Sequence, residues 1–253
     1  MIHNILAVDV GNSRVKYGVF KRVDDQVTPV AISAVELRKQ PDVATRMAEW
    51  TDDYKIESCI AAGSNPPVLN RLIEDWPTQL PVATCIRSTQ SIPVRLTVDQ
   101  PDAVGLDRVL NALAASKLYP GKKLIIVDSG TATTIDLISA EGDFCGGSIF
   151  PGLRLSAYAL HDYTARLPVI DMDAQPAAVP KLPGKNTIEA MRAGLYWGQL
   201  GAIREITDRL CEGTLDSTTL VLTGGGSRML SSHFPRARCV EALALHGLVL
   251  LTQ

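Results

Sequence analysis

The stretch IIVDSGTATTIDLIS, residues 125–139, contains a short apolar run that ends at Asp128 and a turn that contains Gly130. Residues 131–134 are all threonine or alanine, and a second apolar run follows them. Two short apolar runs joined by glycine and small polar residues are typical of a β-hairpin. Because a carboxylate at a strand end is costly to bury without a cation, hydrogen-bond donors or water, we expect this tip to face a polar ligand.

The first half of the chain repeats this pattern in LAVDVGNSRVKYGVF, residues 6–20. Asp9 ends an apolar run, and Gly11 follows it at the spacing that separates Asp128 from Gly130. A unit that occurs once in each half of a chain indicates two halves of similar fold. We therefore predict an α/β protein with two similar domains, each with a mixed β-sheet that opens with a β-hairpin and is flanked by helices. The predicted domains are residues 1–118 and 119–253.

The spacing of apolar residues also predicts helices and a further strand. The longest helix is expected over residues 186–210, where Asn186 and Glu189 resemble a capping box. Its apolar stripe is expected to contain Ile188, Met191, Leu195, Ile203, Ile206 and Leu210. Shorter helices are expected over residues 43–51, 70–76, 107–118 and 241–252, a strand ending in glycines over 218–226, and a loop with four prolines over 164–185.

The composition favours a small-molecule ligand and a cytoplasmic location. The 253 residues are 46% hydrophobic with a formal net charge of -2, which gives no electrostatic case for nucleic acid or an anionic membrane. The apolar run that ends at Asp9 predicts a strand instead of a signal peptide, and no run approaches the roughly 20 residues of a membrane span. Five scattered cysteines without a CxxC spacing predict reduced thiols, and the four histidines show no zinc-like spacing.

Both predicted hairpin tips carry groups that suit a polyphosphate. Gly11 and Gly130 let the backbone approach a ligand, and successive N–H groups of a turn form an anion-binding nest. If the tips faced each other, Asp9 and Asp128 could hold the metal of the polyphosphate. The alternative is that these residues only form tight turns. Uncharged donors at the tips are Asn12, Ser13, Thr131, Thr133 and Thr134.

A third polar feature is VGLDRVLNALAA, residues 104–115, with Asp107 and Arg108 at the start of a predicted helix. Asp107 could simply cap the helix, where the dipole favours a carboxylate. It could also accept a hydroxyl proton late in phosphoryl transfer, while Arg108 binds an anionic group bidentately. The glycines of TGGGS, residues 223–227, could lie against a nucleotide base or ribose, or form a flexible loop. The sequence contains no GxxxxGK[ST], no GxGxxG after the first strand and no GxSxG.

Four motifs in order resemble those of type III pantothenate kinase, a family of the actin-like, hexokinase-like and Hsp70-like ATPase superfamily. They are DxGN[ST] at 9–13, GxDR at 105–108, DxGTATTxD at 128–136 and GKNTxEA at 184–190. The resemblance implies an actin-like (ribonuclease H-like) fold for both domains. It also implies phosphorylation of pantothenate to 4'-phosphopantothenate by ATP, the first step of coenzyme A biosynthesis.

The resemblance further implies a role for each matching residue. The ATP contacts would be Asp9, Val10, Gly11, Asn12, Ser13, Arg14, Val15, Lys16 and Thr131. The pantothenate contacts would be Val98, Gly105, Leu106, Asp107, Arg108 and Thr187, with Asp107 as the catalytic base. Asp9 would bind Mg²⁺ and Asp128 the monovalent cation, K⁺ or ammonium. A homodimer with the active site near its interface is implied as well.

The chain departs from the family pattern at one wall of the expected substrate pocket. Val98 stands where the family usually has a tyrosine, Gln100 where asparagine is common, and Leu106 where alanine is usual. Loss of one hydrogen bond costs about 0.5–1.5 kcal/mol. We therefore expect a higher KM for pantothenate and no loss of turnover. Two alternatives to the kinase are a non-catalytic relative that regulates transcription and a kinase or phosphatase of the same fold with another substrate.

Overall fold

The computed structural model describes residues 2–24, 26–39, 42–172, 179–212 and 217–252. The chain separates into two compact units. The first contains Met1–Gly121, Gly142–Phe144 and Ala242–Gln253, and the second contains Lys122–Glu141 and Cys145–Glu241. The domain limits expected from the sequence, 1–118 and 119–253, stay a prediction.

The strands and helices of the described residues are named in chain order. The strands are β1 (Ile2–Val10), β2 (Arg14–Val23), β3 (Gln26–Glu36), β4 (Ser58–Gly63), β5 (Ala83–Ile86), β6 (Lys123–Ser129), β7 (Ala132–Ile138), β8 (Phe144–Pro151), β9 (Thr218–Thr223) and β10 (Arg238–Cys239). The helices are α1 (Val43–Asp53), α2 (Pro66–Glu74), α3 (Leu106–Leu118), α4 (Leu153–Asp162), α5 (Thr187–Cys211), α6 (Ser227–Ser231) and α7 (Leu243–Val249). Short 3-10 turns occupy Leu37–Lys39, Thr89–Ser91 and Pro101–Ala103.

The two sheets have the same strand order. The first runs β3-β2-β1-β4-β5, and the second, read from its other edge, runs β8-β7-β6-β9-β10. Each begins with an antiparallel hairpin, β1–β2 or β6–β7, whose first strand also pairs in parallel with the fourth strand of its sheet. The mixed sheets and the two hairpins confirm the fold class that the repeated Asp–Gly pattern predicts.

The centre of the first sheet is buried on both faces, which explains why β1 is an almost continuous apolar run. Ile5 and Ala7 face a core that includes Leu110 of α3 and Leu245 of α7. Leu6, Val8 and Val10 face a second core, with residues from α1 and α2 that include Met47, Leu69 and Leu72. In the second unit, apolar residues of β6, β9 and α5 form another core: Ile125, Val127, Leu200, Ile203 and Leu222.

Helix α5 begins as the capping pattern predicts. The Asn186 side chain accepts a hydrogen bond from the Glu189 N–H at 2.9 Å, and the Glu189 carboxylate accepts one from the Lys185 N–H at 2.8 Å. The predicted stripe is wrong at Ile188, which is 43% exposed because the first turn of α5 extends beyond the apolar core that starts at Met191. Among the described residues, no helix combines the length and the apolar character that a membrane crossing requires.

Other sequence expectations differ in their limits. The helix expected over 70–76 starts earlier, at Pro66, because proline suits the first turn and the Asn65 side chain accepts a hydrogen bond from the Val68 N–H. In the expected loop 164–185, residues 164–172 and 179–185 contain no helix or strand, whereas residues 173–178 lie outside the described residues.

Candidate functional site

The first hairpin tip is held closed by its own backbone. The Gly11 N–H donates to the carbonyl of Arg14 at 2.9 Å, and the carbonyl of Ser13 accepts from the N–H of Leu37 at 2.9 Å. Asp9, only 6% exposed, lies directly opposite Lys16 on the neighbouring strand. The structure therefore brings a nearly buried carboxylate, a lysine and a fixed glycine turn together at one end of the first sheet.

The residues expected to contact ATP differ in what they can offer. The side chains of Val10 and Val15 are fully buried in the core, so a ligand could reach only their backbone. Arg14 forms a cross-strand ion pair with Glu36, with 3.5 Å between nitrogen and oxygen. Asn12 is exposed and Lys16 is half-buried, so both side chains can extend to a ligand at the tip.

The second tip is closed in the same way, by a hydrogen bond from the Gly130 N–H to the Ala132 carbonyl at 3.1 Å. Asp128 is half-buried and lies opposite Thr134, whose side chain shares its face of the sheet. The Thr134 hydroxyl is buried and has no hydrogen-bond partner within the described ranges. Hard cations prefer oxygen ligands, so the Asp128 carboxylate beside the Thr134 hydroxyl suits such a cation.

The glycine turn after β9 packs against this second tip. A Cβ atom on Gly224 would overlap the Asp128 carboxylate, and the φ angle of +82° at Gly224 also favours glycine. The Gly226 N–H donates to the Ser129 carbonyl at 2.9 Å, and the Gly152 N–H donates to the Thr131 carbonyl at 3.0 Å. The TGGGS motif therefore belongs to the surroundings of Asp128 and is packed there by its glycines.

Asp107 lies inside the first turn of α3, and Gly105 takes the N-cap position without a side-chain hydrogen bond. One oxygen of the Asp107 carboxylate accepts a hydrogen bond from the Arg108 N–H at 2.9 Å. A Cβ atom on Gly105 would lie 2.6 Å from the same oxygen, so glycine is required for this position of the carboxylate. Asp107 is thus fixed at the positive end of a helix while it stays half-buried and reachable.

Arg108 stacks on a residue that the sequence motifs do not contain. Its guanidinium carbon lies 5.2 Å from the ring centroid of Phe144, and Phe144 is 1% exposed. The carbonyl of Phe144 accepts hydrogen bonds from the N–H of Thr97 at 2.9 Å and from its hydroxyl at 3.1 Å. Val98, half-buried, follows Thr97 directly, so Val98 and Arg108 are connected through Phe144.

An ion pair between Arg95 and Asp143 fixes the chain next to Phe144. The Arg95 guanidinium donates to the Asp143 carboxylate and lowers the pKa of that carboxyl below its ordinary value. The Phe144 N–H donates to the Arg95 carbonyl at 2.9 Å. These contacts hold the chain on both sides of the ring on which Arg108 stacks. Phe144 could not be predicted from the sequence, because no local pattern signals a contact between residues so distant in the chain.

Thr187, the remaining expected substrate contact, is the first residue of α5 and is exposed. Its neighbourhood is rigid because the Asn186 cap and the tight packing of Gly184 against the backbone of Glu189 and Ala190 fix the turn before it. The structure places Thr187 in the second unit, as it does Asp128 and Thr131, whereas Asp9, Val98 and Asp107 belong to the first.

Within the described ranges, no group of three or more His, Cys, Asp or Glu residues could hold a metal ion. Mg²⁺ in nucleotide sites is usually bound by one or two carboxylates together with substrate phosphates and water. Asp9 beside the glycine turn fits this mode, in which most ligands come from the nucleotide.

Comparison with known proteins gives a consistent result for the sequence. The sequence profile of a family described as "Type III pantothenate kinase" matches residues 5–209. A type III pantothenate kinase of Gluconobacter oxydans is 34% identical over 98% of this chain and 92% of its own length. One of Geobacter sulfurreducens is 31% identical over 98% of this chain and 97% of its own length.

Solved structures with low sequence identity share the fold. A Campylobacter jejuni protein assigned to the Baf family of transcriptional activators gives a TM-score of 0.59 at 19% identity and covers 97% of this chain and 96% of its own. The activator of 2-hydroxyisocaproyl-CoA dehydratase from Clostridium difficile, with bound ADPNP, gives 0.52 at 13% identity over 98% of this chain and 93% of its own. At these identities the likeness concerns the fold alone.

Proposed function

This chain belongs to the type III pantothenate kinase family, and on that premise we propose that it transfers the γ-phosphoryl group of ATP to pantothenate. The product would be 4'-phosphopantothenate, the first intermediate of coenzyme A biosynthesis. The observation that carries the proposal is the family match over most of the chain together with the fixed, reachable carboxylate of Asp107 at the start of α3.

Asp107 is proposed as the catalytic base. A free carboxylate, with a pKa of about 4, cannot deprotonate an alcohol outright. The loose transition state of phosphoryl transfer does not require this, because the base orients the hydroxyl and accepts its proton late. One Asp107 oxygen is engaged by the Arg108 N–H, and this contact supports a fixed direction for the carboxylate toward the substrate hydroxyl.

Arg108 is proposed to bind the carboxylate of pantothenate. A guanidinium can bind a carboxylate through two parallel hydrogen bonds, and stacking on Phe144 limits the number of positions it can adopt. Val98 lies next to the segment that holds Phe144, in keeping with a place at the pocket wall. Gly105, Leu106 and Thr187 are proposed as further substrate contacts on the basis of the matching family motifs.

Each hairpin tip is proposed to contact the nucleotide and to hold one cation. In the first tip, backbone N–H groups near Gly11 and the Lys16 ammonium would bind phosphate, and Asp9 would hold the Mg²⁺ that arrives with ATP. Bound Mg²⁺ would offset the negative charge that the phosphates carry. In the second tip, Thr131 would contact ATP and Asp128 would hold K⁺ or ammonium. The Thr134 hydroxyl, which has no hydrogen-bond partner among the described residues, would offer a second oxygen.

A homodimer and a cytoplasmic location complete the proposal. Apolar side chains exposed on the second unit support an interface between copies: Ile149, Leu155, Tyr163, Leu182 and Ile188. The cysteine pattern supports a reducing compartment, and Cys145 and Cys239 are exposed at the surface. The regulatory alternative has no comparable support, because the likeness to the Baf family activator shows only the fold.

The test is ADP release from ATP with pantothenate, Mg²⁺ and K⁺ for the wild type and for Asp107→Asn. Loss of a positioned base lowers kcat by about 10²- to 10⁴-fold, and ATP binding should be unchanged. The matched control is Asp102→Asn. Asp102 is an exposed carboxylate shortly before α3, and it accepts a hydrogen bond from the Gln90 side chain. Turnover of Asp107→Asn equal to that of Asp102→Asn would remove Asp107 from the mechanism.

A further inference from the structure

Helix α5 carries a buried amide that none of the proposed roles uses. Gln199 is 6% exposed and lies on the face that also buries Leu200 and Ile203. A buried amide is costly unless it is hydrogen-bonded. Gln199 donates from Nε2 to the Thr133 hydroxyl at 2.6 Å and lies 3.5 Å from the Ser129 hydroxyl. The Gln199 amide is therefore hydrogen-bonded to the second hairpin.

The two hydroxyls form the last cross-strand pair before the second tip. Ser129 and Thr133 are directly opposite each other, and both are buried. Because side chains alternate between the faces of a strand, they point away from the face that carries Asp128 and Thr134. Gln199 therefore contacts the hairpin on the face opposite to the one that carries Asp128, the proposed cation ligand.

Ser129 also links the contact with Gln199 to the glycine turn after β9. Its carbonyl accepts the Gly226 N–H at 2.9 Å, and both Gly224 and Gly226 pack directly against Ser129. Gly224 is in close contact with the Asp128 carboxylate as well. A shift of Ser129 would therefore displace the turn that surrounds Asp128. Because Gln199 holds Ser129, its position affects the geometry of the proposed cation site.

We propose that Gln199 is a positioning residue that holds the second hairpin tip in the geometry needed to bind nucleotide phosphate and the monovalent cation. The inference rests on the proposed function, because that function assigns Asp128 and Thr131 their ligands. Gln199 acts through Ser129 and Thr133 and touches neither substrate. Its removal should therefore weaken cation and ATP binding selectively and leave pantothenate binding nearly intact.

The test is Gln199→Met, which keeps the length and volume of the side chain and removes the amide. The half-saturating K⁺ concentration and the KM for ATP should each rise about tenfold, the factor that about 1.4 kcal/mol of lost binding free energy produces. The KM for pantothenate should change by less than about twofold, and saturating K⁺ and ATP should restore most of kcat.

Two further variants separate positioning from a general loss of packing. Thr207→Val is the matched control, because Thr207 is buried on the same helix and its hydroxyl has no hydrogen-bond partner within the described part of the chain. It should change none of the constants. Thr133→Val, nearly the same shape as threonine, should raise the same two constants as Gln199→Met. In the double variant the effects should be less than additive, because one hydrogen bond is lost in both.

The proposal is overturned if Gln199→Met lowers only the melting temperature, or if it raises all three constants equally. If Gln199→Met does not fold, Thr133→Val decides the question in the same way. Calorimetric titration with Mg·ADP at several K⁺ concentrations gives a second reading that does not need pantothenate. A wild type without pantothenate-dependent turnover would refute the proposed function, whereas unchanged K⁺-dependent ADP binding in Gln199→Met would refute the positioning role.

Discussion

Gly130 and Gly152 show that two glycines in contact can be required for different reasons. A Cβ atom on Gly152 would overlap the carbonyl oxygens of Gly130 and Thr131, so the fold itself requires glycine there. At Gly130 a Cβ atom would lie 3.4 Å from the nearest atom, the Ala132 carbonyl oxygen, which is an ordinary contact. If glycine matters at residue 130, the reason must be a ligand that approaches the exposed tip.

This difference predicts opposite results for two alanine variants. Gly130→Ala should leave the free energy of unfolding within about 0.5 kcal/mol of the wild type and raise the KM for ATP, because its methyl group narrows the phosphate approach. Gly152→Ala should lower the free energy of unfolding by about 1–3 kcal/mol, because the packed backbone must move. Urea unfolding and ATP titration measure the two quantities. Equal destabilisation by both variants would contradict this account of the tip.

At the scale of elements, local signals predicted more than tertiary contacts did. The hairpins and α5 follow from apolar periodicity, glycine turns and the Asn186 cap, all of which act within a few residues. The stacking of Arg108 on Phe144 and the bond from Gln199 to Thr133 join distant segments, and neither leaves a trace in local sequence. The prediction is wrong at Ile188 because periodicity defines a helix face but not how far the core extends along it.

The attachment of the C-terminal helix α7 gives a prediction at this scale. Arg22 on β2 donates to the carbonyl of Thr252 at 2.6 Å and to the carbonyl of Val249, at the C-terminal end of α7. Hydrogen bonds from a charged donor contribute about 1.5–3 kcal/mol, and a cation also suits the negative end of a helix. Arg22→Met should lower the free energy of unfolding by about that amount in urea titration.

Lys21→Met is the matched control for Arg22, because Lys21 is the neighbouring half-buried cation on the same strand. A substitution away from such contacts should change the free energy of unfolding by less than about 0.5 kcal/mol. If the two variants unfold at the same urea concentration, the bonds from Arg22 to α7 do not stabilise the fold.

At the scale of the whole molecule, one strand order occurs twice, and the second unit carries the exposed surface proposed as the dimer interface. On α5, the exposed glycines 194, 198 and 201 have open space where a Cβ atom would lie. Small residues on a helix permit close approach of another chain. A side chain added at any of these positions would start in open space among the described residues, whereas a long one would obstruct a second copy packed against α5.

Gly198→Gln should therefore separate the proposed dimer without harming the subunit. Sedimentation velocity should give about twice 27.3 kDa for the wild type and about 27.3 kDa for the variant. The variant subunit should be no less stable, because glycine disfavours a helix interior by about 1 kcal/mol relative to alanine. Asp208→Gln, an exposed change on the same helix, should stay dimeric. A wild type that sediments as a single chain would contradict the homodimer.

The central claim is that this chain phosphorylates pantothenate, and direct identification of the product tests it best. Wild-type protein would be incubated with pantothenate, Mg²⁺, K⁺ and ATP labelled with ¹⁸O in the γ-phosphate, and the products analysed by mass spectrometry. We expect phosphorylated pantothenate that carries the label, in amounts equal to the ADP formed. ADP with labelled free phosphate but no phosphorylated pantothenate, or no ADP at all, would contradict the account.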